Sequence, residues 1–318
     1  MVQAQGYRGR LALAYETAYG TAPVSPSGFI LPITSSKIAA KQTLIEDKTI
    51  RGVRDVAQPG LGNIDVQGPV VVPVDEINIG YWLKGLFGSP DTTDSGTAPY
   101  THTFKPGFTQ PSMCLEQQFP DIGQYFLYNG CKVSKFSTAF EVSNQDLQAT
   151  IDIMGGKETL REASFLVEPI IRPMSKFGAF MASILDDGQL LANVTKVELT
   201  VDTGLDGSVY TLGGGGFRGS LPEGMLAVTG TVTAIFDSMA LLDKAVAGAT
   251  SSIELNLSNP LSGNSLNILL PEIIYERTSP GIDGPKGVSI SLSFRAFYNT
   301  NASGVSIVAT LVNSEPAY

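Results

Sequence analysis

One pattern recurs in this chain at a fixed distance, and it restricts the fold more than any single residue does. Ile64, Val66, Gly68, Val70, Val72 and Val74 alternate along one face of a segment that ends at Asp75. Leu226, Val228, Gly230, Val232, Ala234 and Phe236 do the same and end at Asp237. The two glycines are 162 positions apart (68 to 230), and so are the two aspartates (75 to 237). Alternation with period two predicts half-buried strands.

The flanking segments repeat as well. After Asp75, the residues Ile79, Trp82, Leu83, Leu86 and Phe87 recur at helical spacing; after Asp237, Met239, Leu242 and Val246 do. Both aspartates are suited to cap those helices, which end at Gly88 and Gly248. Further on, Ser134, Phe136, Thr138, Phe140 and Val142 align, turn at 143–145, and return through Leu147, Ala149, Ile151 and Ile153. Ile290, Leu292, Phe294, Ala296 and Tyr298 align in the same way, turn at 299–304, and return through Val305, Ile307, Ala309 and Leu311. Both pairs read as long amphipathic hairpins.

Three matches in one order predict a tandem duplication. The copies run over 28–157 and 189–318, with a lead-in at 1–27 and a connector at 158–188. Tyr7 and Phe177 hold similar places in the two lead-ins. The fold class is all-β with minor α: two tandem β-sandwich or barrel domains, each with one short flanking helix.

Composition agrees and narrows the function. Charged residues make up 16% of the chain, against about 25% in ordinary domains. Such a chain keeps part of its surface for partners. The net charge of −9 disfavours tight nucleic-acid binding. Arg8, Arg10 and Glu16 interrupt the opening apolar stretch, so no signal peptide is expected, and no run approaches membrane-span length. Cys114 and Cys131 are expected as free thiols in a reducing cytoplasm.

The order of features resembles the tail tube proteins of siphoviruses. The likeness rests on Tyr15-Glu16-Thr17-Ala18-Tyr19-Gly20-Thr21, Ile50-Arg51-Gly52-Val53-Arg54, the strand–Asp–helix unit, Tyr210-Thr211-Leu212-Gly213, Val228-Thr229-Gly230-Thr231 and the ending Ile290 to Phe297. It implies two packed sheets flanked by a helix, and rings whose inner strands join in one barrel. The rings stack into a tube around a tape-measure protein and end on tail-completion proteins. Double-stranded DNA passes in transit without specific binding. The resemblance also implies a virion tail component assembled in the host bacterial cytoplasm, with no membrane, cofactor or enzymatic activity. Relatives with one such domain form hexamers, so two domains per chain favour three chains per ring over six.

Two long loops follow from the same comparison. One spans 41–63 with Glu46, Asp47, Arg51, Arg54 and Asp55; its counterpart spans 203–224 with Asp206, Tyr210 and Arg218. The resemblance implies contacts between subunits or successive rings there, and the alternative is plain solvated loops. Arg54 and Arg218 hold near-equivalent positions suited to interface ion pairs. The stretches 21–28 and 280–286, rich in Pro and Gly, are further candidate contacts.

The features that imitate chemistry have simpler readings. Gly213 to Gly216 precede no helix and no GK[ST], so a tight loop is expected rather than a phosphate cradle. Gly155-Gly156-Lys157 reads as a strand end and turn, and Asp186-Asp187-Gly188 as a turn. Asp91 to Ser95 reads as a solvated turn. His102 is the only histidine and cannot make a zinc site alone. Trp82 belongs to a core. Two other readings stay open: a capsid decoration or receptor-binding module, and a carbohydrate-active enzyme, which needs paired carboxylates that nothing marks.

Overall fold

Alternating apolar residues form strands wherever the sequence places them, and two short helices fill the sheet ends. The structure is a computed structural model; it describes residues 3–318 apart from 25–26, 94–95, 142–145, 179–181, 192, 283 and 300–303. The first part of the chain holds β1 (Arg10–Tyr15), β2 (Phe29–Leu31), β3 (Ser35–Ser36), β4 (Ala39–Ile45) and β5 (Gly60–Pro73). Then come α1 (Ile79–Phe87), β6 (Asp91–Thr93), β7 (Tyr100–Phe104), β8 (Met113–Phe119), β9 (Gln124–Glu141), β10 (Gln148–Gly155) and β11 (Lys157–Arg161). After β12 (Ile170–Ile171) follow β13 (Ala182–Asp186), β14 (Gln189–Leu190), β15 (Val194–Asp202), β16 (Ala227–Ile235) and α2 (Ala240–Ala247). The chain closes with β17 (Thr250–Ser258), β18 (Ser265–Tyr275), β19 (Ser289–Ala296) and β20 (Val308–Asn313).

The main strand pairings repeat, although among the described residues β12–β2 and β6–β7 have no counterpart in the second half. In the first half β1 pairs β2 and β8, β8 pairs β9, β9 pairs β10 and β11, and β5 pairs β10 and β4. In the second, β13 pairs β14 and β17, β17 pairs β18, β18 pairs β19 and β20, and β16 pairs β19 and β15. Strands β1 and β13 lie in the lead-in 1–27 and the connector 158–188, yet they hold equal places in the two diagrams. The repeated glycines do the same work. A Cβ at Gly68 would strike the carbonyl oxygen of Lys37, and one at Gly230 that of Glu198, both well under 3.0 Å.

This diagram corrects the second hairpin. β9 and β10 pair as expected, although Val142 and the turn at 143–145 lie outside the described residues. β19 and β20 do not pair with each other: β19 lies between β16 and β18, and β20 lies between β18 and β7. The structural counterpart of β10 is therefore β19. Alternation shows that each segment is a half-buried strand but not which neighbour it meets. Most of the expected turn at 299–304 also lies outside the described residues.

The two halves share one sheet and one core. β9 changes sheets just after Gly130, whose φ is 63°. Up to Cys131, β9 pairs β8 and β11; from Lys132 on, it pairs β10 and β15. The result is a continuous sheet, β4-β5-β10-β9-β15-β16-β19, that crosses from one half to the other. Its inner side buries Val66, Ile151, Phe136, Leu199, Val232 and Leu292 in a single apolar cluster that also takes in Leu11, Leu13, Trp82 and Ile268. In return, β7 of the first half extends the second half's other sheet by pairing β20.

The helices differ in their starts. The Asp75 carboxylate accepts the Ile79 N–H at 2.9 Å, and Ile79, Trp82, Leu83, Leu86 and Phe87 are all buried as expected. Asp237 does not cap α2; its carboxylate accepts the Asn193 amide at 2.9 Å at the sheet end instead. The buried stripe of α2 is Leu241, Leu242 and Ala245, while Met239 and Val246 are half exposed. The helix has turned so that Lys244 meets Asp186 and Asp187.

Glu76, buried beside α1, ties the halves together. Its carboxylate accepts the Ser175 hydroxyl at 2.8 Å and the Asn259 and Asn264 amides at 2.6 Å each. Burial pushes its pKa up, but these donors more than offset that and hold the carboxyl below its ordinary value of 4.5. A lowered carboxylate stabilises the fold fully above the unfolded value, and the gain is lost as pH falls through the folded one. Glu76→Gln, which turns an amide donor toward two others, is expected to cost about 1–3 kcal/mol at neutral pH. The gap to the wild type should narrow in melts taken below pH 4.5; an equal gap at all pH values would contradict this account.

Candidate assembly surfaces

The two loops singled out by the sequence are used in opposite ways. The first extends the β4–β5 hairpin away from the sheet. Glu46, Arg51, Arg54 and Asp55 are exposed on it. Asp47 pairs with Arg51 and accepts the Thr49 N–H at 2.8 Å, and its hydrogen bonds with Thr49 hold its carboxyl below the usual range. Among the described residues, Arg54 and Asp55 form no ion pair. The arm is also apolar: Ile50 and Val56 are more than nine-tenths exposed, and Leu44, Ile45, Val53 and Leu61 are largely so. Scattered exposed apolar side chains are ordinary on a protein surface, whereas here six of them share one projection.

The second loop folds back onto the first half of its own chain. The Arg218 guanidinium is buried there, donating to the carbonyls of Val66 (3.0 Å), Gly155 (3.2 Å) and Gly207 (2.7 Å) and pairing with Asp65 at 2.6 Å. Tyr210 bonds the same carboxylate. Lys132 reaches back to the Leu221 carbonyl at 2.9 Å and to Glu223 at 2.6 Å. Asp206 is exposed and closes its own turn through the Ser208 N–H at 2.8 Å. Arg218, expected at a contact between chains, is thus spent between the halves of one chain, whereas Arg54 remains at the surface. Sequence reasoning missed Asp65; its only signal is a carboxylate on the polar side of β5, one residue from buried Val66.

The outer side of the continuous sheet is mostly polar, with Pro69, Val71, Ala139 and Met154 set among hydroxyl and charged side chains. Thr229, Thr231 and Thr233 of β16 face Arg295, Ser293 and Ser291 of β19, with Thr233 and Ser291 hydroxyls 3.0 Å apart. Charges of both signs interleave: Lys196 pairs with Glu198 at 2.6 Å and Arg295 with Glu276 at 3.0 Å. The Glu198 hydrogen bond raises the Lys196 ammonium pKa. A broad shallow groove on this side is lined by Lys41, Gln67, Lys135, Asp152 and Asp202.

The residues that imitate chemistry have structural roles. His102 is fully buried. Its Nε2 donates to the Glu315 carbonyl at 2.8 Å, so Nδ1 accepts from the Thr92 hydroxyl at 2.9 Å. Its ring meets Tyr318 edge-on at 4.7 Å. Cys114 and Cys131 are free and buried, and burial pushes both thiols up. Gly213 to Gly216 form a tight turn, with φ of 83° at Gly213 and 84° at Gly216. Asp187-Gly188 turns β13 into β14; of the turn expected at 91–95, Asp91–Thr93 form the exposed strand β6 and 94–95 lie outside the described residues. Among the described residues no His, Cys, Asp and Glu group could hold a metal, and no helix is long and apolar enough to cross a membrane.

Comparison with known proteins adds one finding. A family model described as phage tail tube protein matches residues 6–296. The curated proteins contain no match.

Proposed function

Because this chain belongs to the phage tail tube protein family, a family of structural tail components that associate into a tube, we propose that it closes into rings of three chains. The rings stack, and the phage genome passes through them during ejection. Each chain then supplies two quasi-equivalent copies, so three chains give a pseudo-sixfold ring. The observation that carries this reading is the continuous sheet joining the copies, which buries one side and leaves the other mostly polar.

Geometry supports three chains over six. Each copy adds four strands to that sheet: β4, β5, β10 and β9, or β15, β16, β19 and the end of β18. Six copies, with strands spaced about 4.8 Å and tilted about 40°, close a barrel roughly 45–50 Å across at the backbone. Twelve copies would give roughly 90–100 Å, far more than a duplex in transit needs. The hydroxyl-rich, mixed-sign side would line the lumen, where the absence of a basic surplus keeps phosphates from sticking. Ring closure also removes the open sheet edges that would endanger a monomer. A tape-measure protein inside the tube and tail-completion proteins at its ends are the further partners of this reading.

Negative-stain microscopy of concentrated protein tests it. Hollow tubes with threefold end-on classes are the expected result. Small closed particles at every concentration, with or without other tail components, would point instead to a decoration or receptor-binding module. The exposed arm supplies a variant. Ile50→Ser, Val53→Ser and Val56→Ser together should leave the melting of unassembled chain within about 0.5 kcal/mol of wild type, because these side chains touch solvent. The same triple variant should lose tubes by microscopy and sedimentation. Normal tubes from it would remove the arm from assembly.

A further inference from the structure

The contact between the two copies inside one chain is a template. Lys196–Asp202 of β15 run antiparallel to Lys135–Glu141 of β9, with Val197 opposite Phe140 and Val201 opposite Phe136. The loop after β15 then covers the first copy, with Arg218 and Thr203 bonded to its carbonyls.

The repeated pairing gives each part of this seam a counterpart at the chain's opposite ends. Ser36 pairs Val70 and Ala40 pairs Val66, as Val197 pairs Val232 and Val201 pairs Val228. Residues 36–41 therefore hold the place of β15. Tyr275 faces Phe294, which faces Gly230; likewise Val133 faces Ile153, which faces Gly68. The stretch 277–282 just after β18 therefore holds the place of the second half of β9. The arm at 46–59 holds the place of the covering loop.

Among the described residues none of the three has a strand or loop partner of the kind the seam supplies, although the Ile38 carbonyl accepts the Tyr128 hydroxyl at 3.2 Å and the Ser36 hydroxyl accepts the Gln117 amide at 2.7 Å. Among the described residues β4 pairs only β5, so its outer edge is open, and no ladder includes 277–282. The arm exposes Ile50, Val53 and Val56. Where it would lie, near the ends of β18 and β19, the second copy exposes Ile274 and Tyr298. Two apolar patches thus stand at places that symmetry brings together. Pro280, which lacks an N–H, keeps the receiving edge a poor template for indiscriminate strand addition.

We infer that neighbouring chains join head to tail through a copy of this internal seam. Residues 36–41 and β4 of one chain add antiparallel to 277–282 of the next, which become a strand on docking. The arm at 46–59 packs over Ile274 and Tyr298 of that same neighbour. The partner is a second copy of this chain, and because two different surfaces meet, the contact must close in a ring or propagate. This inference rests on the ring reading above and specifies its joint.

Two measurements test it. In unmodified protein, hydrogen exchange of 39–45 and 277–282 should slow by about tenfold or more on assembly. Thr200 faces Ser137 inside the chain, and, allowing for the register shift in β9 at Asp152/Ile153 and the Glu276–Ser293 pairing after β18, the corresponding residues between chains are Ala39 and Thr278. Oxidised assemblies of Ala39→Cys/Thr278→Cys should give a covalent ladder ending at trimer, whereas either single variant should not. Thr200→Cys/Ser137→Cys should link internally without a ladder. If rings form but 277–282 exchange as in free chain and no ladder appears, this seam is wrong and the ring reading survives. If no rings or tubes form under any condition, both fall. Should the double variant fail to assemble, exchange on the unmodified chain decides.

Discussion

Arg218→Met should lower stability by about 3 kcal/mol, the range seen when one partner of a buried, hydrogen-bonded charge is removed. For a chain of this length that is roughly 4–5 °C in Tm. The guanidinium side chain is only 5% exposed, while that of Asp65 is 40% exposed. Water therefore rescues part of the abandoned carboxylate, and the ion pair contributes little of the total. Most of the cost falls on the carbonyls of Val66, Gly155 and Gly207, which lose the buried guanidinium donor. Arg218→Lys keeps a charge but not the planar fork, so it should recover less than half of the loss. Arg54→Met, at the near-equivalent position on the exposed arm, should leave the unassembled chain unchanged. Urea denaturation of the three variants would check the ordering, and equal midpoints for Arg218→Met and wild type would mean the loop is not docked.

Gly230→Ala should be worse than its chemistry implies, and Gly230→Val should cost at least about 3 kcal/mol through overpacking. The added Cβ meets the Glu198 carbonyl oxygen and the Phe294 ring together. Backbone on the adjacent strand cannot yield as a flexible side chain does. Gly68→Ala should act in the same way against Lys37. Gly287→Ala, with nothing within 4 Å of the new carbon, should stay within about 1 kcal/mol of wild type in either direction. Matching melts for Gly230→Ala and Gly287→Ala would contradict the strand spacing at β15–β16.

Both predictions start from residues visible in the sequence, but only one reason was visible there. Gly68 and Gly230 stood out because they interrupt two apolar faces at the same place. That a neighbouring carbonyl occupies the missing Cβ volume required the pairing. Arg218 stood out only through its loop and its spacing from Arg54, and its partner Asp65 did not stand out at all. The two arginines occupy near-equivalent positions, yet one is buried and the other exposed. The loop at 203–224 finds the first copy beside it, whereas the arm at 46–59 has no second copy on that side within the chain. The hairpin misreading has a similar origin. β19 and β20 alternate as cleanly as β9 and β10, and alternation reports burial on one face without naming the strand alongside.

The sequence by itself determined where the long alternating strands β5, β9, β10, β16, β19 and β20 lie, which side of each is buried, where the first helix is capped, and that the strand–Asp pattern occurs twice. These are local properties: a period of two, a period of 3.6 and a carboxylate one turn ahead of a backbone N–H are set within a few residues. Tertiary structure alone decided that β20 crosses to β7, that β9 serves two sheets and joins β15, and that Asp237 bonds Asn193 instead of capping α2. Those outcomes depend on which segments, far apart in the chain, offer an open edge or an unsatisfied donor in the same place, and no local pattern encodes that.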